Sequence, residues 1–354
     1  MSTTLNSGID PASFSAVTGP AQDLFRYVNG PWIDMYRLPD DRSRYGSFDK
    51  LAEDAENQIR EILEDDDCPA EKSHALYASF LDVDAINASG LAAIEDQLKA
   101  IDVAADKAEL TRSLGAMNPA GGPDLIGIAV YGDPGAPETN IIHIEQSGLG
   151  LPDEAYYRED HYAPIREAYV DMVAKQLKNA KLAADDEQAE AQAQRFLDVE
   201  TRIAANHWDN VATRDSVKTY NPTDYAELSG MLADYDLDTW IESWQSAYDQ
   251  TSAAQVQPLD FRGIFNHVVV HEPSFLTGLN AFWKAADLDD LKLWARVHVI
   301  IGSTLELPHE FDETNFEFYG KTLSGQKQQR VRWKRGVSLV NGICGEDVGR
   351  EYAP

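Results

Sequence analysis

Cysteine is scarce in this chain. The 354 residues include 2 cysteines, Cys68 and Cys344, which lie far apart in the sequence. This excludes the dense disulfide framework of small secreted domains and favours a reducing compartment. The N-terminus lacks the basic start and apolar core of a secretory signal, and no stretch approaches the ~20 apolar residues that span a bilayer. We therefore expect a cytoplasmic protein with no membrane partner.

Basic residues are also few. Lys and Arg together number 30, against 60 for Asp and Glu, which gives a net charge of -30. Nucleic-acid binding depends on basic side chains that displace counterions from phosphates, so the composition predicts no nucleic-acid partner. The same negative charge opposes docking on anionic membranes.

The usual signatures of metal and nucleophile catalysis are missing from the sequence. A zinc-protease helix carries His-Glu-x-x-His, because this spacing places both imidazoles on one face. His271 and His309 are each followed by Glu but not by the second His. His267 and His271 share a face in either a helix or a strand, which leaves a weak two-histidine metal hypothesis, and packed structural histidines are the favoured alternative. We predict no catalytic and no metal-binding residue in this chain.

The apolar pattern predicts a mainly α fold that contains a small β-hairpin. Residues 51–63 and 165–207 have apolar side chains at helical spacing, with an interruption in the second stretch at residues 182–186. The β-branched stretches 125–133 and 140–146 flank a Pro-containing turn, which is typical of a hairpin. Residues 267–271 are predicted to be extended.

A further helix is predicted to begin after Asn221-Pro222-Thr223, because Asn and Thr side chains can cap the first amides of a helix.

Residues 22–49 concentrate aromatic, glycine, proline and charged residues. Within them, Arg44 and Asp49 flank Tyr45-Gly46-Ser47-Phe48. One hypothesis is that the Arg44 guanidinium binds a carboxylate or a peptide carbonyl of a ligand. The alternative is a structural Arg44–Asp49 pair in which Asp49 caps a helix beginning near Leu51. The residues alone favour the alternative, because Asp is a common helix cap.

Five motifs follow one another along the chain. They are QDLFRYVNGPW at 22–32, Leu-Pro and RSRYGSFDKL within 38–51, QSGLGLPDEAYY at 146–157, TRD through YN within 213–221, and YGKTLSG with RVRWKRGVSLVN within 319–341. In this order they resemble the neprilysin family of zinc metalloendopeptidases, most closely its bacterial endopeptidase O type. The similarity runs from about residue 9 to the end of the chain.

The resemblance implies a two-domain, mainly helical peptidase whose catalytic domain and helical lid enclose a cavity for short peptides. The zinc ligands would be two His and a downstream Glu, in motifs that this sequence does not contain. The resemblance also implies substrate-binding residues here: Arg44 would reach the primed side of a peptide, Phe48 would form a wall of the primed pocket, and Asp49 would hold Arg44.

On this basis we predict the N-terminal, lid-forming portion of such an enzyme. Its parts would be a flexible arm (1–20), a segment that packs on the catalytic domain (21–50), the lid (51–325) and a linker helix (326–354). We expect zinc in the complete enzyme and no cofactor in this chain. The expected partners are a peptide substrate and a C-terminal catalytic half.

Alone, the chain should be inactive. The alternative function is a non-catalytic helical module that binds peptides or proteins. If the catalytic half is a separate partner, the aromatic residues that face it should form an exposed apolar patch around Phe25, Tyr27, Trp32 and Trp333.

Overall fold

The computed structural model describes residues 9–65 and 67–353, and it confirms a mainly α fold with a small sheet. None of the helices described is both long and apolar enough to cross a membrane. The helices are, in chain order, α1 (Leu24–Met35), α2 (Ser47–Leu63), α3 (Glu71–Leu81), α4 (Val83–Ser89), α5 (Glu95–Val103), α6 (Lys107–Met117), α7 (Ala155–Arg158), α8 (Ala163–Asn179), α9 (Asp186–Ala204), α10 (Tyr225–Met231), α11 (Leu237–Asp249), α12 (Ser252–Val256), α13 (Phe261–Ile264), α14 (Pro273–Ala285), α15 (Leu288–Gly302), α16 (His309–Asn315) and α17 (Arg332–Tyr352).

The sheet has four strands in the order β1-β2-β4-β3. Strands β1 (Ile126–Asp133) and β2 (Ala136–Gln146) form the predicted antiparallel hairpin. Strand β4 (His267–Val270) is extended as predicted and pairs in parallel with β2. Its valines are almost completely buried, as expected for a central strand with both faces covered.

Strand β3 corrects one prediction. Asn221–Asp224 does not cap a helix but forms this strand, antiparallel to β4. The helix cap is the next acidic residue along: the Asp224 side chain accepts a hydrogen bond from the Glu227 amide at 2.9 Å, and α10 begins at Tyr225. The Asn221 amide instead donates to the carbonyl of Val270 at 2.9 Å, which fixes the edge of the sheet.

Most of the chain packs around one large apolar core, and the part that contributes to it is called the large body below. Its buried side chains extend from Ile94 to Phe318 and include Trp240, Trp283 and Trp294. Helices α6 and α11 cross closely at Gly115, where an added Cβ would lie 2.3 Å from the carbonyl oxygen of Trp240. Only glycine permits this approach.

A buried carboxylate organises the centre of the large body. Glu200, on α9, is 0% exposed. It accepts hydrogen bonds from the Gly150 amide, the Tyr157 hydroxyl and Nε2 of His298, each at 2.8 Å. The Tyr319 hydroxyl donates to the Gly150 carbonyl at 3.1 Å. Glu200 therefore holds the GLGLP turn of the third sequence motif. Its several hydrogen-bond partners meet the requirement for burial of a carboxylate.

A second, smaller apolar cluster joins α2, α3 and α17, and these three helices are called the small cluster below. Its buried side chains are Ile59, Leu63, Tyr77, Val337, Val340 and Val348. Helix α17 has a kink at Cys344, where the backbone leaves helical geometry.

The small cluster contacts the large body through polar groups. Asp312 of α16 accepts hydrogen bonds at both carboxylate oxygens from Nη2 of Arg335 in α17, at 2.7 Å each, and another from Gln329 at 3.0 Å. Asp312 is 6% exposed. This ion pair therefore connects two separate apolar cores.

The predicted domain boundaries remain predictions. Residues 1–8 of the predicted arm lie outside the described residues. In the rest of the arm, a short 3-10 helix spans Pro11–Ser13, and the ring of Phe14 packs 5.1 Å from that of Tyr27, measured between centroids.

Acid is expected to weaken the large body through His207. This imidazole is 9% exposed and its Nε2 donates to the carbonyl of Ser147 at 3.0 Å. Burial lowers the pKa of His207 to about 4 from its usual 6.5. The unfolded chain therefore takes up a proton near pH 6.5, whereas the folded chain takes it up only near pH 4. Between these values the free energy of unfolding should fall by about 3 kcal/mol as pH falls, at 1.36 kcal/mol per pKa unit.

Urea unfolding at pH 7, 5.5 and 4 measures this effect as the difference between the wild type and His207→Asn. The variant should lose less stability on acidification. His267→Asn, at an exposed histidine, is the control and should follow the wild type. Equal pH slopes in the wild type and His207→Asn would contradict the prediction.

Candidate functional site

Helix α1 presents apolar side chains to solvent. It begins after Asp23, whose side chain accepts a hydrogen bond from the Arg26 amide at 2.9 Å. Phe25 is 64% and Trp32 41% exposed, and Leu24, Val28, Ile33 and Met35 are exposed as well. Exposed large apolar residues concentrated on one short helix indicate an interaction surface.

The aromatic patch predicted from the sequence is present only in part. Phe25 and Trp32 are exposed, but Tyr27 and Trp333 are half-buried. Tyr27 packs on Phe14, and Trp333 lies under the Arg60 guanidinium at 4.5 Å. The exposed surface is therefore narrower than the one predicted and lies along α1.

A stack of three rings turns the chain from α1 towards α2. The centroids of Trp32 and Tyr36 are 4.7 Å apart, and those of Tyr36 and Tyr45 are 4.6 Å apart. Near-parallel rings at this spacing attract each other beyond the area they bury. The stack holds Tyr45 beside the end of α1 and so brings the start of α2 next to it.

Arg42 and two carboxylates of α2 form the charged centre of this region. The Nη1 of Arg42 lies 3.4 Å from Asp49, and its Nη2 lies 2.9 Å from Glu53. The Tyr45 hydroxyl donates to the other oxygen of Glu53 at 2.8 Å, and Lys334 of α17 lies 3.6 Å from Glu53. We call Arg42, Tyr45, Asp49, Glu53 and Lys334 the Arg42 cluster.

The Arg42 cluster shifts the pKa of two of its members. The hydrogen bond to Glu53 raises the pKa of the Tyr45 phenol well above its usual range. Partial desolvation raises the pKa of Glu53, but the hydrogen bond from Tyr45 and the charges of Arg42 and Lys334 outweigh it and lower that pKa overall. Glu53 is therefore an ionised hydrogen-bond acceptor at neutral pH.

The three site residues predicted from the sequence lie in or just before the first turn of α2, in different environments. Arg44 is exposed and makes no hydrogen bond or ion pair in the part of the chain described. Phe48 is 87% exposed. Asp49 is half-buried against Arg42, so its partner in this structure is Arg42 and not Arg44.

Asp49 also does not cap α2. The helix begins at Ser47, its cap position is Gly46, and no side chain there accepts a capping hydrogen bond. Asp49 lies instead in the first turn, where a carboxylate interacts favourably with the helix dipole. The prediction placed the helix start near Leu51 because the apolar periodicity becomes clear only there.

Sequence reasoning missed Arg42, Tyr45 and Glu53. A signal for Glu53 was available, since Asp49 and Glu53 are four residues apart and so share one face of a helix that begins early enough to include both. The role of Arg42 depends on the conformation of residues 36–46, which the aromatic stack sets.

The histidines do not assemble a metal centre in the described residues. His267 and His271 are not brought together; Nε2 of His271 lies 2.8 Å from Nδ1 of His143, and Glu145 is 3.7 Å from the other nitrogen of His271. No group of three or more His, Cys, Asp or Glu side chains in the part described could hold a metal ion. These residues therefore do not fit a zinc ion.

Known proteins resemble this chain over almost its whole length. The model for the N-terminal region of Peptidase family M13 matches residues 20–354. Human neprilysin is 26% identical over 370 residues, which cover 96% of this chain and 48% of neprilysin. Mouse membrane metallo-endopeptidase-like 1 is 27% identical over 359 residues, with 94% and 45% covered.

Solved structures give the same result. The zinc metalloprotease Zmp1 of Mycobacterium tuberculosis, in complex with an inhibitor, superimposes with a TM-score of 0.86 at 34% identity, covering 98% of this chain and 51% of Zmp1. PepO from Lactobacillus rhamnosis shares the fold, with a TM-score of 0.76 at 19% identity over 95% of this chain and 51% of PepO. The chain spans about half the length of these relatives. It therefore belongs to peptidase family M13, the neprilysin family, and corresponds to the N-terminal region of its members.

Proposed function

We propose that this chain forms the lid and one wall of the substrate site of a neprilysin-like zinc peptidase that cleaves short peptides, and that it has no peptidase activity alone. The observation that carries this proposal is the exposure of two side chains close in the chain: Arg44, just before α2, is exposed and unpaired among the described residues, and Phe48, in the first turn of α2, is 87% exposed. The chain has a net charge of -30. A guanidinium that stays unpaired among its described residues is therefore available to bind the carboxylate of a ligand.

The two side chains suit different parts of a peptide. A guanidinium donates two parallel hydrogen bonds to a carboxylate, which fixes the orientation of the bound group. An aromatic ring four residues further along the chain provides an apolar surface for the adjacent side chain. Arg44 would thus hold the C-terminal carboxylate of a short peptide while Phe48 packs against a primed-side residue.

The exposed face of α1 supports a second element of the proposal, which is docking of a C-terminal catalytic region. Phe25 and Trp32 are of the residue types that concentrate the binding energy of protein interfaces. Their position beside the Arg42 cluster would place a docked partner next to Arg44 and Phe48. The substrate would then bind between the two regions.

Zinc enters this proposal only through the C-terminal region. Zmp1 is a zinc metalloprotease, whereas the described residues of this chain do not fit the ion. In the complete enzyme the ion would supply the hydrolytic chemistry. The residues described here would bind and orient the peptide and limit access of solvent to it.

A reconstitution experiment tests the proposal. The purified chain, incubated with zinc and an internally quenched short peptide, should show no turnover above buffer. Adding a C-terminal zinc region of the family, such as that of Zmp1, should give turnover that a chelator abolishes.

Phe25→Ser should weaken the association of this chain with the C-terminal region at least about 10-fold, since a central aromatic contact contributes about 2 kcal/mol or more. Val256→Ser is the control, because Val256 is 87% exposed on a different helix, α12.

Two results would contradict the proposal. Chelator-sensitive cleavage by the pure chain would show that its own residues hold the metal. Failure of every family C-terminal region tested to bind the chain, or equal loss of binding in Phe25→Ser and Val256→Ser, would remove the docking role of α1.

A further inference from the structure

Arg42 occupies a position between two carboxylates of α2, those of Asp49 and Glu53. Its side chain is 14% exposed, and its two terminal nitrogens lie 3.4 Å from Asp49 and 2.9 Å from Glu53. Arg44, two residues further along, is exposed and unpaired in the described part of the chain. The arginine that engages the acidic residues is therefore distinct from the one left open to solvent.

The charges in the Arg42 cluster balance without Arg44. Asp49 and Glu53 are negative, whereas Arg42 and Lys334 are positive and lie within 4 Å of them. Arg44 is then a positive charge that the carboxylates of the Arg42 cluster do not pair. If Arg42 were neutral, the two carboxylates would be under-compensated, and they would attract the Arg44 guanidinium, which precedes Asp49 by five residues in the chain.

The backbone around Arg44 is held on both sides. Arg42 is fixed by its carboxylates, and Tyr45 is fixed by its hydrogen bond to Glu53 and by stacking on Tyr36. The Arg42 guanidinium also lies 5.8 Å from the centroid of the Tyr45 ring. Ser43 and Arg44, between these two fixed residues, are both exposed.

We propose that Arg42 is a positioning residue, which keeps the Arg44 guanidinium unpaired and presents it to the carboxylate of a bound peptide. This inference rests on the proposed role of Arg44 in substrate binding. In the structure Arg42 makes the contact with Asp49 that the family resemblance implied for Arg44. Arg42 does not touch the substrate. It engages Asp49 and Glu53, which would otherwise compete with the substrate carboxylate for Arg44.

The preference for a free C-terminal carboxylate measures this role. The reconstituted complex is assayed with an internally quenched peptide that ends in a carboxylate and with its C-terminal amide, and kcat and KM are determined for both. Arg44→Gln should reduce the acid-to-amide ratio of kcat/KM by about 10- to 100-fold, as expected for loss of a charged hydrogen bond. Arg42→Gln should reduce the ratio at least about 5-fold, through KM of the acid.

The controls separate positioning from general damage. Arg42→Lys should recover part of the ratio, since it restores the charge but not the two-sided fork. Arg37→Gln should leave the ratio unchanged, because Arg37 is exposed and makes no polar contact in the described residues. In the chain alone, Arg42→Gln should increase hydrogen exchange at residues 42–46 at least about 10-fold, while Arg44→Gln should not.

The outcomes distinguish the inference from the proposed function. If Arg44→Gln loses the preference and Arg42→Gln retains it, Arg42 is not a positioning residue and the role of Arg44 stands. If Arg44→Gln retains the preference, the proposed substrate contact is wrong. If the complex proves inactive, unchanged exchange at residues 42–46 in Arg42→Gln still overturns the positioning role.

Discussion

Glu200→Ala is expected to destabilise the chain by about 3–5 kcal/mol, because removing one partner of a buried charged network leaves the others unpaired. The carboxylate accepts hydrogen bonds from Gly150, Tyr157 and His298 in a site from which water is excluded. Alanine would leave these three donors without an acceptor and would also create a cavity at the centre of the large body. Both effects act in the same direction.

Urea unfolding measures the loss, and two variants isolate its cause. Glu190→Ala removes an exposed carboxylate from the same helix and should change the unfolding free energy by less than about 0.5 kcal/mol. Glu200→Gln keeps the shape and one acceptor oxygen, so its effect should be smaller than that of Glu200→Ala. A loss below about 1 kcal/mol in Glu200→Ala would show that water or rearranged side chains replace the carboxylate.

The hairpin, the long helices and the extended segment before His271 could be predicted from the sequence because each has a local pattern. Alternation, helical spacing and β-branching describe how a segment meets its nearest neighbours. The parallel pairing of β2 with β4 joins residues far apart in the chain, and no local pattern specifies it. The error at Asn221 has the same origin, since its amide is used by the sheet and not by a helix.

The sequence could propose a candidate site at residues 44–49, but it could not give the contacts of those residues. The motif grouped Arg44, Phe48 and Asp49. In the structure Phe48 and Asp49 lie in the first turn of α2, whereas Arg44 precedes the helix. Which arginine meets Asp49 depends on the ring stack of Trp32, Tyr36 and Tyr45, which directs the intervening loop. A stack between rings on different elements is a tertiary contact. The sequence shows that the aromatic residues are present but not that they stack.

Asp312→Ala is expected to uncouple the small cluster from the large body. Arg335 would lose both of its carboxylate contacts while its side chain stays 14% exposed, and breaking such a pair costs about 3–5 kcal/mol. Each apolar core is complete on its own side of this contact, so the loss should fall on their connection. Helix α17 should then open at lower urea concentration than α9, instead of unfolding with it.

Hydrogen exchange in increasing urea resolves the two units, with amides near Val340 reporting on α17 and those near Phe196 reporting on α9. Glu313→Ala, one residue away on the exposed face of α16, is the matched control and should leave both unchanged. Asp312→Asn retains an acceptor but not the charge, so its effect should be intermediate. Equal loss of protection in α17 and α9 would mean that the two cores unfold as one unit. In that case the Asp312–Arg335 pair would stabilise the whole fold, and movement of α17 relative to the large body would have to begin elsewhere.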